Sequence, residues 1–254
     1  MRYQETNGTL LYSHRESDLA FVRAVSKEVY TRYPGGADTW RPADPDRMWG
    51  ISLSPRAGVL GVTINGRTAC VKLFYDERLR NRVRTRLGFS KGRRAYRNGV
   101  CLGQLGIHCP QMWGYAERRP AGPGMIVTEL IGDAARLDEW ISNHGASRDM
   151  VRTLARFIRD MHDKGVWHVD LSPRNILVRF RAGQLDFLLL DYEDARFAPR
   201  VGRRRRLENL HHLHERMVRS IPIRDRLRFL HAYAPPDYRA WRDALHRMLG
   251  RSRR

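Results

Sequence analysis

The stretch VLGVTINGRTACVKLFY, residues 59–75, restricts what this chain can become more than any other. Two runs of apolar and β-branched residues flank an Asn-Gly pair at 65–66. Such a pair adopts the left-handed backbone of a two-residue turn, so the runs pair antiparallel. MWGISL (48–53) precedes them across the turn SPRAG, and the three runs predict an antiparallel meander over 48–75. GIHCPQMWGY (106–115) and GMIVTELI (124–131) read as two more strands around RRPAGPG. A short helix is expected over 18–30 and another around 91–105, and the Pro- and Gly-rich residues 33–47 are loop.

The second half changes period. In SRDMVRTLARFIRDMHDKG, Met150, Val151, Leu154, Ile158 and Met161 recur on one helical face, with Ser147 placed to cap the start and Gly165 to stop it. NILVRF (175–180) and LDFLLLD (185–191) form a second hairpin around RAGQ. Leu207, Leu210 and Leu213 mark a tail helix, and Tyr238, Trp241, Leu245 and Met248 mark a last one behind Pro235–Pro236. Met161 and Trp167 read as core. A β-rich first half followed by a helical second half implies two lobes of one catalytic unit with a cleft between them.

At 254 residues, with 42% hydrophobic and 29% charged, the composition suits a folded globular chain. The N-terminus lacks the basic start and apolar core of a signal peptide, and no apolar run approaches the roughly 20 residues a membrane helix needs. Cys70, Cys101 and Cys109 form no CxxC pair, which argues against a disulfide scaffold or zinc site and points to a reducing cytosol. The formal net charge is +20, and residues 78–97 hold nine Lys and Arg with no acid. Arg78, Arg80, Arg82, Arg84 and Arg86 alternate there, and Lys91, Arg93 and Arg94 follow. RRRR occupies 203–206. This field implies a polyanionic partner: an anionic lipid surface, a phosphorylated glycolipid or nucleic acid. No recognised nucleic-acid motif is present, so no specific nucleic acid is expected.

HVDLSPRNIL (168–177) follows the α-helical stretch, and LLLDYED (188–194) ends the second hairpin. The hairpin is expected to bring Asn175, at its start, near Asp191, at its end. An amide oxygen and a carboxylate there suit Mg²⁺, which takes hard oxygen ligands and keeps positions for water and phosphate. Asp170, one turn away, is placed to accept a hydroxyl proton. That is equipment for phosphoryl transfer. Lys72 follows apolar Cys70–Val71 on a buried strand, where a lysine needs an anion. His168 reads as a brace for the loop, and His211, His212 and His214 as a solvated helix face.

The order of these motifs resembles the protein-kinase-like fold. HVDLSPRN is similar to the kinase catalytic loop, with Asp170 as base and Asn175 at the metal, and DYE (191–193) to the metal-binding DFG segment. Lys72 stands where the phosphate-contacting lysine stands. Glu129 and Ile131 lie in a hinge-like TELIG that would contact the nucleotide, and Arg56 and Gly58 lie in the loop that would cover its phosphates. RRAYRNGVCLGQLGIHCPQMWGY, HDKGVWHVDLSPRNIL and LLLDYEDAR further resemble the lipopolysaccharide core (Kdo/heptose, Kdo/WaaP-type) kinases. The resemblance implies an α+β, bilobal fold with an antiparallel β-rich N-lobe (1–130) and a short, mainly helical C-lobe (131–254). It implies ATP and Mg²⁺ as cofactors and an anionic glycolipid as acceptor, with the enzyme peripheral to the cytoplasmic face of the inner membrane. The basic stretch 78–97 would recruit that glycolipid or its membrane.

Departures from the pattern qualify this. No acid lies between Glu77 and Glu117, so the helix that usually pairs the strand lysine with a Glu has Ala95 or Tyr96 there instead. The loop before Gly58 carries one glycine where kinases have several. Val169 replaces the Arg that reads a phosphorylated activation loop, and Glu193 the flexible Gly. Arg174 is placed to neutralise a phosphate or orient Asp170. A kinase for a protein or soluble alcohol, a weak pseudokinase and a basic nucleic-acid binder remain alternative readings.

Overall fold

In the computed structural model, which describes residues 2–6, 8–32, 46–54, 57–75, 90–118, 123–217 and 221–252, Asn65 and Gly66 take φ of 50° and 74°. Both turn residues are left-handed, matching the twist of the strands they join. β4 (Ala57–Ile64) and β5 (Arg67–Phe74) pair from Ala57–Phe74 to Ile64–Arg67, and β3 (Met48–Ser54) adds beyond β4. The expected meander is present. β6 (Met112–Arg118) and β7 (Gly124–Glu129) extend the sheet past β5, and a hairpin of β1 (Arg2–Thr6) and β2 (Thr9–Ser13) closes its other edge. The strand order is β1-β2-β6-β7-β5-β4-β3, antiparallel throughout. The strand expected from 106 begins only at Met112, because Gly106 turns left-handed and Pro110 has no amide proton to donate.

Alternation gives this sheet two different faces. Ala69, Val71 and Leu73 of β5 share one with Met125 and Val127 of β7, and α1 (Glu16–Arg32) covers it with Val22, Val25 and Val29. Gly114 of β6 marks the closest approach. A Cβ there would stand 2.5 Å from Val22 Cγ2 and 2.7 Å from the backbone oxygen of Tyr12. The other face carries Lys72, paired in register with Ile126, which pairs with Tyr115. α2 (Lys91–Gln104) lies on it, with Gly92 against the rings of Tyr115 and Phe74. Ser90 caps α2 by accepting from the Arg93 amide at 3.1 Å.

The chain divides into two compact units, Met1–Gln104 with Pro110–Gly132, and Leu105–Cys109 with Asp133–Arg254. The excursion Leu105–Cys109 belongs to the second unit because the Leu189 amide donates to His108 O at 2.9 Å and His108 Nδ1 lies 2.6 Å from Asp186. That unit runs β8 (Ala134–Arg136), α3 (Leu137–His144), α4 (Arg148–Asp163), β9 (Val166–His168), β10 (Ile176–Arg181), β11 (Gln184–Leu189) and β12 (Ala195–Phe197), then α5 (Arg203–Met217), α6 (Ile223–Tyr233) and α7 (Tyr238–Ser252). β10 lies between β8 and β11, and β12 pairs with β9.

α4 buries the stripe read from the sequence, Met150 through Met161, and Ser147 Oγ accepts from the Met150 amide at 3.2 Å. Gly165 ends it with φ of 79°, and a Cβ there would sit 2.0 Å from Ala198 O. Only glycine lets the helix turn directly into β9 beside β12.

Two glycine substitutions should part in sign. Gly114→Val must displace a backbone oxygen and is expected to cost on the order of 1–3 kcal/mol or more in urea unfolding. Gly103→Ala in α2, with nothing within 4 Å of the added Cβ, should instead stabilise by about 0.5–1 kcal/mol.

Candidate active site

The segment HVDLSPRNIL starts at the end of β9 and runs into β10. β9 is short because its partner β12 is the return from Asp191: Ala195 pairs with His168, Phe197 with Val166, and the Val169 amide donates to Asp194 O at 2.9 Å. Between them the hairpin β10–β11 leaves and comes back through Ala182 and Gly183, both at positive φ. Its open end is closed by the Leu190 amide donating to Asn175 O at 2.9 Å. Asn175 and Asp191 therefore stand at adjacent ends of one hairpin. Asp191 itself is left-handed, with φ of 55°, a conformation Asp tolerates better than most residues. It reverses the chain into the short turn Tyr192–Asp194 and on to β12.

Asn175 is buried, and its Nδ2 donates to Asp170 O at 2.8 Å and lies 3.4 Å from Asp170 Oδ2. With the amide nitrogen so committed, Oδ1 is the atom turned away from Asp170. That oxygen and the Asp191 carboxylate are the hard donors Mg²⁺ prefers, so the donor chemistry fits the metal. Among the described residues no cluster of three or more His, Cys, Asp or Glu offers a different metal site.

A buried polar chain holds this loop from behind. Asn209 of α5 bonds both sides of His168: Oδ1 accepts from the His168 amide at 3.1 Å and Nδ2 donates to its carbonyl at 2.9 Å. His162 Nε2 also donates to Asn209 Oδ1, at 3.1 Å, which leaves Nδ1 to accept from the Tyr233 hydroxyl at 2.7 Å. Burial depresses the His162 pKa to about 4, so the ring is neutral. His168 is fully buried and its Nε2 lies 3.0 Å from Asp191 O. A carbonyl can only accept, so the proton is on Nε2. His168 is thus the brace expected, tying the loop of Asp170 to the turn of Asp191.

Other residues stand apart from their expected places. Arg174 is 75% exposed and sets Nε 3.4 Å from Asp138 of α3, not on Asp170. His212 of α5 brings Nε2 to 3.0 Å from Asp170 Oδ1. The three-histidine face is not simply solvated: His211 is 13% exposed, and desolvation and Arg226 lower the His214 pKa. Trp167 is only partly buried, beneath the Arg205 guanidinium at 5.9 Å.

In the first unit Lys72 lies on β5 between Val59 and Ile126, with Nζ 5.3 Å from the Phe74 ring centre. Gly58 is buried, its Cα side facing the Tyr75 hydroxyl. Ser54 closes the β3–β4 turn on itself through Ala57, and Arg56 lies outside the described residues. Glu129 is half-buried, bonded through its amide to Gln111 O at 2.9 Å, and Ile131 is half-buried after it. Ala95 and Tyr96 of α2 are both buried, so that helix presents no acid. An acid on this face is Glu117 of β6, buried and accepting from the Tyr115 hydroxyl at 2.7 Å; that hydroxyl is 2.8 Å from Ser90 Oγ. Of the basic stretch, residues 78–89 lie outside the described residues. Lys91 and Arg94 are exposed, while Arg93 stacks on and bonds to Tyr12.

A family model described as the lipopolysaccharide kinase (Kdo/WaaP) family matches residues 50–233. The chain belongs to that family. The match reaches past the motifs to Asn209, His212 and Tyr233 in α5 and α6. A 3-deoxy-D-manno-octulosonic acid kinase from Mannheimia succiniciproducens is 27% identical over 96 residues, 38% of this chain and 39% of that protein. A solved structure of WaaP in complex with acyl carrier protein superposes with a TM-score of 0.58 over 80% of this chain and 87% of that one, at 22% identity. This likeness places the chain in the α+β, kinase-like fold class. Within this Kdo/WaaP chain no described helix is long and apolar enough to cross a membrane.

The neutral His162 has a pH consequence. Its folded pKa lies below the ordinary 6.5, so its contribution is complete above about pH 6.5 and is lost as pH falls toward 4. Urea unfolding should show the wild type losing on the order of 2 kcal/mol more than His162→Gln between about pH 7.5 and about pH 5. Parallel losses in the two proteins would remove His162 as the acid-sensitive group.

Proposed function

We propose that this chain is an ATP-dependent phosphotransferase that phosphorylates a sugar hydroxyl, of heptose or Kdo, in the inner core of lipopolysaccharide. The observation that carries this is the convergence of Asp170, Asn175 and Asp191 on one hairpin and its flanking β9–β12 ladder. Asp170 accepts the acceptor's proton as the sugar oxygen bonds the γ-phosphorus and the bond to the departing ADP oxygen breaks. Asn175 and Asp191 would hold Mg²⁺, which would supply charge neutralisation on the phosphates. Lys72 contacts the nucleotide phosphates, Gly58 and Arg56 cover them, and Glu129 and Ile131 flank the nucleotide. The +20 charge suits an acceptor carrying phosphate and carboxylate, reached from the cytoplasmic face of the inner membrane where ATP is available. By its likeness to the WaaP complex, an acyl carrier protein is a second partner to assay.

Mass spectrometry of core oligosaccharide from strains with and without the gene should show one phosphate lost in the deletion, on heptose or on Kdo. An unchanged core would exclude this acceptor and favour a protein or small-molecule substrate. In vitro, Asp170→Asn should bind ATP normally and lose on the order of a hundredfold or more in kcat. Asn175→Ala and Asp191→Ala should each weaken Mg²⁺-dependent nucleotide binding, and an unaltered Mg²⁺ titration in both would take them out of the metal site.

A further inference from the structure

Asp170 is held from two sides. On one, Asn175 Nδ2 stands 3.4 Å from Oδ2. On the other, His212 Nε2 stands 3.0 Å from Oδ1. His212 comes from α5, one helical turn after Asn209, so both project from one side of the helix toward the same loop. Asn209 fixes the loop's backbone at His168, and His212 meets the side chain two residues later.

The state of the imidazole is informative. The His212 side chain is 37% exposed, yet Nε2 itself is shut off from solvent and makes no aligned hydrogen bond. A polar nitrogen so placed is costly unless it gains a partner. The carboxylate at 3.0 Å is that partner in distance and lacks only alignment. Hydrogen bonds of catalytic groups are commonly loose before the substrate arrives and tighten with it. Arg174, the cation closest in sequence, is drawn to Asp138.

We propose that His212 is a positioning residue for the phosphoryl-transfer base. Its Nε2–H donates to Asp170 Oδ1 when the acceptor binds. This fixes the rotation of the carboxylate and leaves Oδ2 to receive the acceptor's proton. The role rests on Asp170 being the base, and His212 itself exchanges no proton.

The test uses the full-length protein, ATP and inner-core oligosaccharide extracted from a strain lacking the gene. His212→Ala should lower kcat on the order of tenfold or more with ATP KM unchanged, because misplacing a base costs turnover, not nucleotide affinity. His212→Gln places its amide nitrogen where the imidazole Nε2 was and should recover most of that loss. His212→Asn is too short and should not. In an Asp170→Asn background, His212→Ala should add little, since the two act as one unit. Wild-type kcat in His212→Ala while Asp170→Asn collapses would overturn the role of His212 alone. Full turnover in Asp170→Asn would overturn the base assignment beneath it. Should His212→Ala fail to fold, equal losses in folded Gln and Asn variants would overturn the proposal.

Discussion

The amide side chain of Asn209 grips both backbone polar groups of His168, and the geometry of the second unit follows from that grip. A short loop between α4 and β10 has no ladder long enough to hold it. Its fixed point comes from a helix over forty residues downstream. Because Asn209 also accepts from His162, and His162 accepts from Tyr233, the loop is referred to three helices at once. Removing the amide would strand three buried partners, each costing about 1–3 kcal/mol if left unsatisfied. His168 then passes the constraint on through its ring to Asp191 O, so the loop of Asp170 and the turn of Asp191 share one reference.

The first unit solves a different problem. A two-sided sheet must present Lys72 on a face that is also covered by a helix. α2 manages this with small residues: Gly92, Ala95 and Gly99 bring it near the sheet, and Tyr96 lies beside Tyr115 with ring centres 6.3 Å apart. The start of α2 is anchored through Ser90 and Tyr115 to Glu117, a buried acid on the same face of the sheet.

What the sequence made legible was whatever is encoded locally. The Asn65–Gly66 turn, the stripe on α4 and the spacing of Asp170, Asn175 and Asp191 each lie within one or two elements. The N-terminal hairpin escaped notice because RYQET and TLLYS carry weak strand character alone and are stabilised by β6. Asn209 and His212 escaped for a common reason: each meets a partner distant in sequence, His168 and Asp170. In a run such as LENLHHLHERM nothing distinguishes a histidine facing solvent from one facing a carboxylate. Arg174 shows the converse. Its neighbourhood with Asn175 in sequence suggested that it neutralises a phosphate or orients Asp170, and in the structure its Nε lies 3.4 Å from Asp138 on α3.

The chain Tyr233–His162–Asn209–His168 is built wholly from uncharged groups. Ionic strength therefore has no lever on it: counterions screen charges, and none of these links carries one. The surface of the same molecule is strongly cationic, and whatever it captures by that charge is released as salt rises. Capture and alignment thus answer to separate variables. Rising salt weakens whatever the surface holds by charge, while the loop at His168 keeps its shape.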